Sequence, residues 1–172
     1  MLKQFILKNL NYFYRIFSLT TISFFINIAH ANKSITLISD TLTYDNKTGL
    51  GIYSGNVLAK DNAKELVADK IKVFRNKQGE IYKIIATGNP AKFFDKSKKN
   101  NTISGHAKYI NYLKYENLVI LEKDATLDNN HNILNAPKII YNTKTEITKT
   151  IKPDYGNQPH NRTKIILSNL KN

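Results

Sequence analysis

The chain has 172 residues, of which 41% are hydrophobic and 23% charged, with 26 Lys and Arg against 13 Asp and Glu and no cysteine. That length bounds it at about one domain. The missing cysteines exclude disulfides, thiol nucleophiles and cysteine-held metals, so the fold must rest on burial alone, which a chain of this size can sustain.

The first 31 residues read as an export leader. Lys3, Lys8 and Arg15 come with no acidic residue, the apolar run IFSLTTISFFINI follows from Ile16 to Ile28, and Ala29-His30-Ala31 places small residues where signal peptidase cuts. The expectation is therefore a cleaved signal peptide over 1–31 and one domain over 32–172. An uncleaved membrane anchor is the rival, disfavoured because a spanning helix needs about 20 apolar residues. With the three leader basics set aside, 23 basic residues face 13 acidic ones, a net of +10. An anionic partner is then plausible. The lysines, however, stand singly between apolar and polar residues, and no basic run or helix face marks a nucleic-acid surface.

Past Asn32 the apolar clusters are short and rich in Ile, Val, Leu, Tyr and Thr. In chain order they are ITLISDTLTY, LGIYSG, KIKVF, EIYKIIATG, AKYINY, NLVILEK, KIIYN and TKIILSN. No stretch keeps helical spacing for three turns. Turn signals separate them, among them Asp45-Asn46-Lys47-Thr48-Gly49, Asn76-Lys77-Gln78-Gly79 and Asp128-Asn129-Asn130. The reading is an all-β, antiparallel domain with strands of about 5 residues.

Within this pattern the stretch SGNVLAKDNAKELVADKIKV (54–73) returns without gaps as EKDATLDNNHNILNAPKIIY (122–141). A shorter phrase, small-x-x-aliphatic-x-(Tyr or Val), occurs four times, beginning at Ser39, Ala68, Ala107 and Ala136. Its two final apolar positions are two apart and share one face of a strand. Such repetition marks units that bury their apolar faces only against one another. Two facing antiparallel sheets, a sandwich or jelly roll, is the expected product.

These residues resemble the LptA (OstA-like) family of lipopolysaccharide-transport proteins. The resemblance is carried by Ile38-Ser39-Asp40, Tyr53-Ser54-Gly55-Asn56-Val57, Leu66-Val67-Ala68-Asp69-Lys70-Ile71, Gly88-Asn89-Pro90-Ala91 with Phe93, and Ser104-Gly105-His106-Ala107 leading to Tyr112. Leu118-Val119-Ile120-Leu121 and Ala136-Pro137-Lys138-Ile139-Ile140-Tyr141 continue it, so that it covers most of 39–149 and the closing strand 163–168. It implies an open, twisted antiparallel β-jelly roll, built from internal repeats, in the periplasm of a Gram-negative cell. It also implies a chain that binds the lipid A portion of lipopolysaccharide, stacks end to end with its own copies, and joins an LptC-like inner-membrane protein to an LptD-like outer-membrane protein. No nucleic acid, cofactor or metal is implied. Strand parity and matching position together place Ile35, Leu37, Leu42, Tyr44, Ile71, Val73, Phe93, Ile110, Tyr112, Ile139 and Tyr141 toward the acyl chains.

Some positions depart from the family pattern. Segment 151–162, IKPDYGNQPHNR, is long and polar before the last strand. Lys123-Asp124 stands where the first repeat has Gly55-Asn56, so a glycine-dependent turn is not assured there. Pro137 inside a repeat phrase points to a strand start, a bulge or an edge. For catalysis, His106, His131 and His160 show no metal-ligand spacing, and no G-x-S-x-G elbow or phosphate loop is present, so no catalytic residue is expected. Two alternatives stay open: a basic exported β-domain that binds an acidic glycan or nucleic acid, and an LptC-like inner-membrane component that keeps residues 1–31 as its anchor.

Overall fold

The computed structural model describes residues 35–98, 101–152 and 162–168. The expected leader therefore lies outside the described residues, as does most of segment 151–162. The described chain is all strand and turn: β1 (Thr36–Ile38), β2 (Thr41–Asp45), β3 (Leu50–Asp61), β4 (Lys64–Arg75), β5 (Ile81–Lys98), β6 (Asn101–Leu113), β7 (Leu118–Asn129), β8 (Asn132–Asn142), β9 (Thr148–Thr150) and β10 (Lys164–Ile166). Every neighbouring pair is antiparallel, and β3 to β8 run as one meander.

The turns follow the polar signals in the sequence. Asp45 Oδ1 accepts the backbone N–H of Lys47 at 2.8 Å, and Asn76 Oδ1 accepts those of Gln78 at 3.0 Å and Glu80 at 2.9 Å. Asp128 Oδ1 likewise holds the N–H of His131 at 2.8 Å. Each short side chain closes its own loop, which is why Asp and Asn occupy these sites.

Strand length differs from the sequence reading. The central strands β3 to β8 run 11 to 18 residues. Several polar breaks that look like turns are β-bulges inside strands. Register shifts fall between Ser54 and Val57, Val67 and Lys70, Thr87 and Ala91, His106 and Tyr109, and Glu122 and Ala125. A bulge bends its strand and adds local twist. Because these bulges stand side by side on successive strands, the sheet bends along one line.

That line divides a single ten-stranded sheet into two arms, in place of two separate sheets. β1 pairs with Leu58–Lys60 of β3 while β2 pairs with Leu50–Ser54 of the same strand. At the other edge β10 pairs with 133–135 of β8 and β9 with 139–141. We call these halves the β1 arm and the β2 arm.

The repeated phrase now has a structural meaning. In three of its four copies the small residue, Ala68, Ala107 or Ala136, sits buried in the crease beside Val57, Ala91 and Ala125. Larger side chains there would hold the arms apart. Residues three apart on a plain strand face opposite sides. The bulge absorbs the extra residues, so Ala68 and Ile71, Ala107 and Ile110, and Ala136 and Ile139 share the buried face.

The two halves of the long repeat keep the same bend. Gly55 and Asn56 have φ of 80° and 46°, and Lys123 and Asp124 have φ of 63° and 56°. The second bulge thus keeps the left-handed backbone without its glycine, a conformation that costs a non-glycine residue about 1–2 kcal/mol. In the first copy glycine is needed for space as well: a Cβ on Gly55 would overlap the Asp40 carboxylate, whose Oδ2 accepts Asn56 Nδ2–H at 3.0 Å. Pro137 lies in the bulge opposite Lys123-Asp124, between the stretches of β8 that pair with β9 and β10. There the ladder is interrupted and its missing N–H is not required.

Candidate functional site

Cross-strand pairing assigns the inner face residue by residue. On the β2 arm one row runs Leu42, Tyr53, Ile71, Ala86, Ile110, Leu121, Ile139, Thr150. The next runs Tyr44, Gly51, Val73, Ile84, Tyr112, Val119, Tyr141, Thr148. On the β1 arm a third runs Leu37, Ala59, Leu66, Phe93, Gly105, Leu127, Leu134, Ile165. Each row is apolar nearly end to end.

Ten of the eleven residues picked from the sequence fall in these rows, and Ile35 immediately precedes β1. They divide into three environments. Ile71, Val73, Ile110, Ile139 and Tyr141 are buried, Leu37, Phe93 and Tyr112 are half-buried, and Ile35, Leu42 and Tyr44 are exposed. Leu42, 56% exposed, shares its row with Ile139, which is 0% exposed. The difference is position: β2 is an outer strand of its arm, where the inner face runs out to solvent.

Between the arms lies a cavity of about 170 Å³. Ala59, Leu66, Phe93 and Ile103 line it from the β1 arm, and Ile84, Ile110, Tyr112, Val119 and Tyr141 from the β2 arm, with Ile35 at the edge. Leu66, Ile84, Ile103 and Val119 escaped the sequence reading because they lie outside the repeated aliphatic positions; apolar cross-strand partners mark Leu66, Ile84 and Val119 as inward, while Ile103, opposite Asp95 and Asn129, is marked by its burial alone. Drug-sized ligands occupy roughly 300–1,000 Å³. This interior is lined without being filled, and its volume is below that range.

Phe93 reaches the cavity because Gly105 yields to it. A Cβ at Gly105 would come 2.5 Å from Phe93 Cε1 and 2.9 Å from the Thr126 carbonyl oxygen. The ring therefore lies over bare backbone on the neighbouring strand. This accounts for the glycine of Ser104-Gly105-His106-Ala107.

The cavity is polar on one side. Lys60, Asp61, Lys64, Glu65 and Asp95 line it from the β3–β4 hairpin and the facing part of β5, with Thr143 from the chain after β8. Lys64 Nζ lies 3.5 Å from Asp95 Oδ2, and Lys60 Nζ 3.2 Å from Glu65 Oε1. Burial pushes the Tyr141 phenol above its ordinary pKa, and the negative charge of Asp95 pushes it further the same way.

A second, wider cleft of about 900 Å³ lies over the bulges of β6 to β8, lined by residues including His106, Lys108, Glu122, Lys123, Asp124, Lys138 and Arg162. Much of its charge is paired within it. Lys138 Nζ meets Glu122 Oε1 at 2.6 Å, Lys108 Nζ meets Asp124 Oδ2 at 3.2 Å, and Lys123 Nζ stands 5.0 Å from the Tyr109 ring centroid. His106 is exposed and sits across the ladder from Lys92 and Thr126. The apolar cavity, smaller but lined by convergent side chains of both arms, is the candidate site.

Comparison with known proteins agrees with this geometry. Residues 36–147 match the family described as LptA/(LptD N-terminal domain) LPS transport protein. The lipopolysaccharide export system protein LptH of Pseudomonas aeruginosa is 25% identical over 116 residues, which cover 67% of this chain and 66% of that protein. The crystal structure of LptH, the LptA-homologous periplasmic component of the lipopolysaccharide transport device of Pseudomonas aeruginosa, superposes with a TM-score of 0.71 at 20% identity. That superposition covers 79% of this chain and 96% of the other. The fold is thus the open antiparallel LptA-like β-jelly roll. With more than half of its length matched, this chain belongs to the LptA/(LptD N-terminal domain) family of lipopolysaccharide transport proteins.

Proposed function

We propose that the chain is a periplasmic lipopolysaccharide carrier that takes the lipid A acyl chains against the inner face of its bent sheet. It passes lipopolysaccharide from an LptC-like inner-membrane protein toward an LptD-like outer-membrane protein, with copies of itself stacked end to end between them. The observation that carries this reading is that the apolar rows reach the open edges, all three at the β1–β2 edge and the third also at β10, while the other two end on Thr150 and Thr148 of β9. Leu42 and Tyr44 end two rows on β2, Leu37 begins the third on β1, and Ile165 ends it on β10.

Exposed large apolar side chains gather at the same places. Ile35, Ile38, Leu42 and Tyr44 lie at one edge, and Ile147, Ile151, Ile165, Ile166 and Leu167 at the other. Edge strands with free backbone groups invite pairing with a further sheet. A second copy added there would extend the apolar rows. The energetic need is plain, since each methylene drawn into water costs about 0.8 kcal/mol.

Photo-crosslinking from positions 112 and 42 in cells tests the reading. Label on lipopolysaccharide is the expected result, and its absence from every inward position ends the proposal. The alternative of surface binding to an acidic glycan or nucleic acid predicts affinity that falls steeply with salt and survives Ile110→Asp. N-terminal sequencing of the exported chain separates a cleaved carrier, starting at Asn32, from an anchored LptC-like component, starting at Met1.

A further inference from the structure

Among the described residues, Asp61 carries the one buried side-chain oxygen without a hydrogen-bond partner, and it lines the cavity. It closes β3 and pairs across the ladder with Lys64, which pairs with Asp95, which pairs with Ile103. All four face the cavity. Asp61 Oδ1 is shielded from solvent and has no hydrogen-bond partner among the described residues. Its neighbours are engaged elsewhere: Lys64 reaches Asp95, and Lys60 reaches Glu65. A carboxylate oxygen held beside an apolar cavity without a donor is costly, and a ligand that supplies the donor regains that cost.

We propose that Asp61 Oδ1 accepts a hydrogen bond from an N–H or O–H group near the head of a bound acyl chain. The cavity thereby prefers amide-linked or hydroxylated acyl chains to plain ester-linked ones. The inference rests on the proposed lipid-carrying function and specifies its ligand. With the chain's hydrocarbon against Phe93 and Tyr112, its head end lies on the polar side, where Asp61, Lys64 and Asp95 stand. A methylene or an ester oxygen has no hydrogen to offer Asp61, whereas an amide N–H or a chain hydroxyl does.

The test uses two probes of equal chain length, a 3-hydroxymyristoyl amide and methyl myristate, in a fluorescence displacement assay on the exported chain. The native protein is expected to favour the amide by about tenfold or more, the usual effect of a hydrogen bond to a charged acceptor. Asp61→Leu brings the ratio to within about twofold, because the amide loses its acceptor and the ester has none to lose. Asp61→Asn, which keeps the side-chain size, lowers the ratio less. Thermal unfolding midpoints of both variants stay level or rise, because Asp61→Leu removes the unpartnered oxygen and Asp61→Asn removes its charge. A clear fall in midpoint for both variants assigns the carboxylate a structural partner and overturns the inference. So does a ratio that neither variant changes. If neither probe binds the native chain, the lipid-carrying reading itself fails.

Discussion

Leu42 and Ile139 occupy one cross-strand row on the same face, yet Leu42 is 56% exposed and Ile139 0% exposed. Truncating each to alanine therefore tests whether the row is sealed in its middle and open at its end. At Ile139 the removed carbons leave a cavity between the arms, and buried aliphatic truncations cost about 2–5 kcal/mol. For a domain of this size, about 3 kcal/mol lowers the thermal midpoint by roughly 10 °C. At Leu42 water already covers much of the side chain, and the change stays within about 0.5 kcal/mol. The assay is calorimetric or circular-dichroism unfolding of the exported chain at low concentration, where end-to-end association does not contribute. Equal losses at the two positions would refute the open-ended row. A small loss at Ile139 would refute the sealed floor.

Other outcomes follow from single residues. Asp124 sits at φ 56° while Asp69 carries no positive φ, so Asp124→Val destabilises by about 1–2 kcal/mol and Asp69→Val by much less, as denaturant midpoints will report. Gly105→Ala pushes a methyl group toward the Phe93 ring, costs about 1–3 kcal/mol, and weakens lipid binding because the displaced ring lines the cavity. The raised Tyr141 pKa means that the folded chain keeps its phenolic proton where the unfolded chain has lost it. That contribution is complete below the ordinary phenol pKa of about 10 and is lost as pH rises through the folded value. Tyr141→Phe should flatten alkaline unfolding curves above about pH 10, and an unchanged alkaline slope would show that Tyr141 does not set it.

The alternation of short apolar runs with Asp, Asn and Gly determined by itself that the chain is all-β and antiparallel, because a period of two leaves no other way to bury one face. The four-fold phrase likewise determined which residues share a face, and its eight apolar positions, from Leu42 and Tyr44 to Ile139 and Tyr141, lie in two neighbouring cross-strand rows. What the sequence could not assign was the nature of its polar breaks. Asp45 to Gly49 is a turn between strands, while Gly55-Asn56 and Lys123-Asp124 are bulges within them. Local composition is the same in both cases, since both need short polar side chains and left-handed backbone. Only the partner strand distinguishes them: where it continues past the break, the pairing shifts register and the sheet bends. The tertiary structure also decided which inward residues are floor and which are wall. Burial depends on how closely the second arm approaches, and no property of Leu42 or Ile139 alone contains that distance.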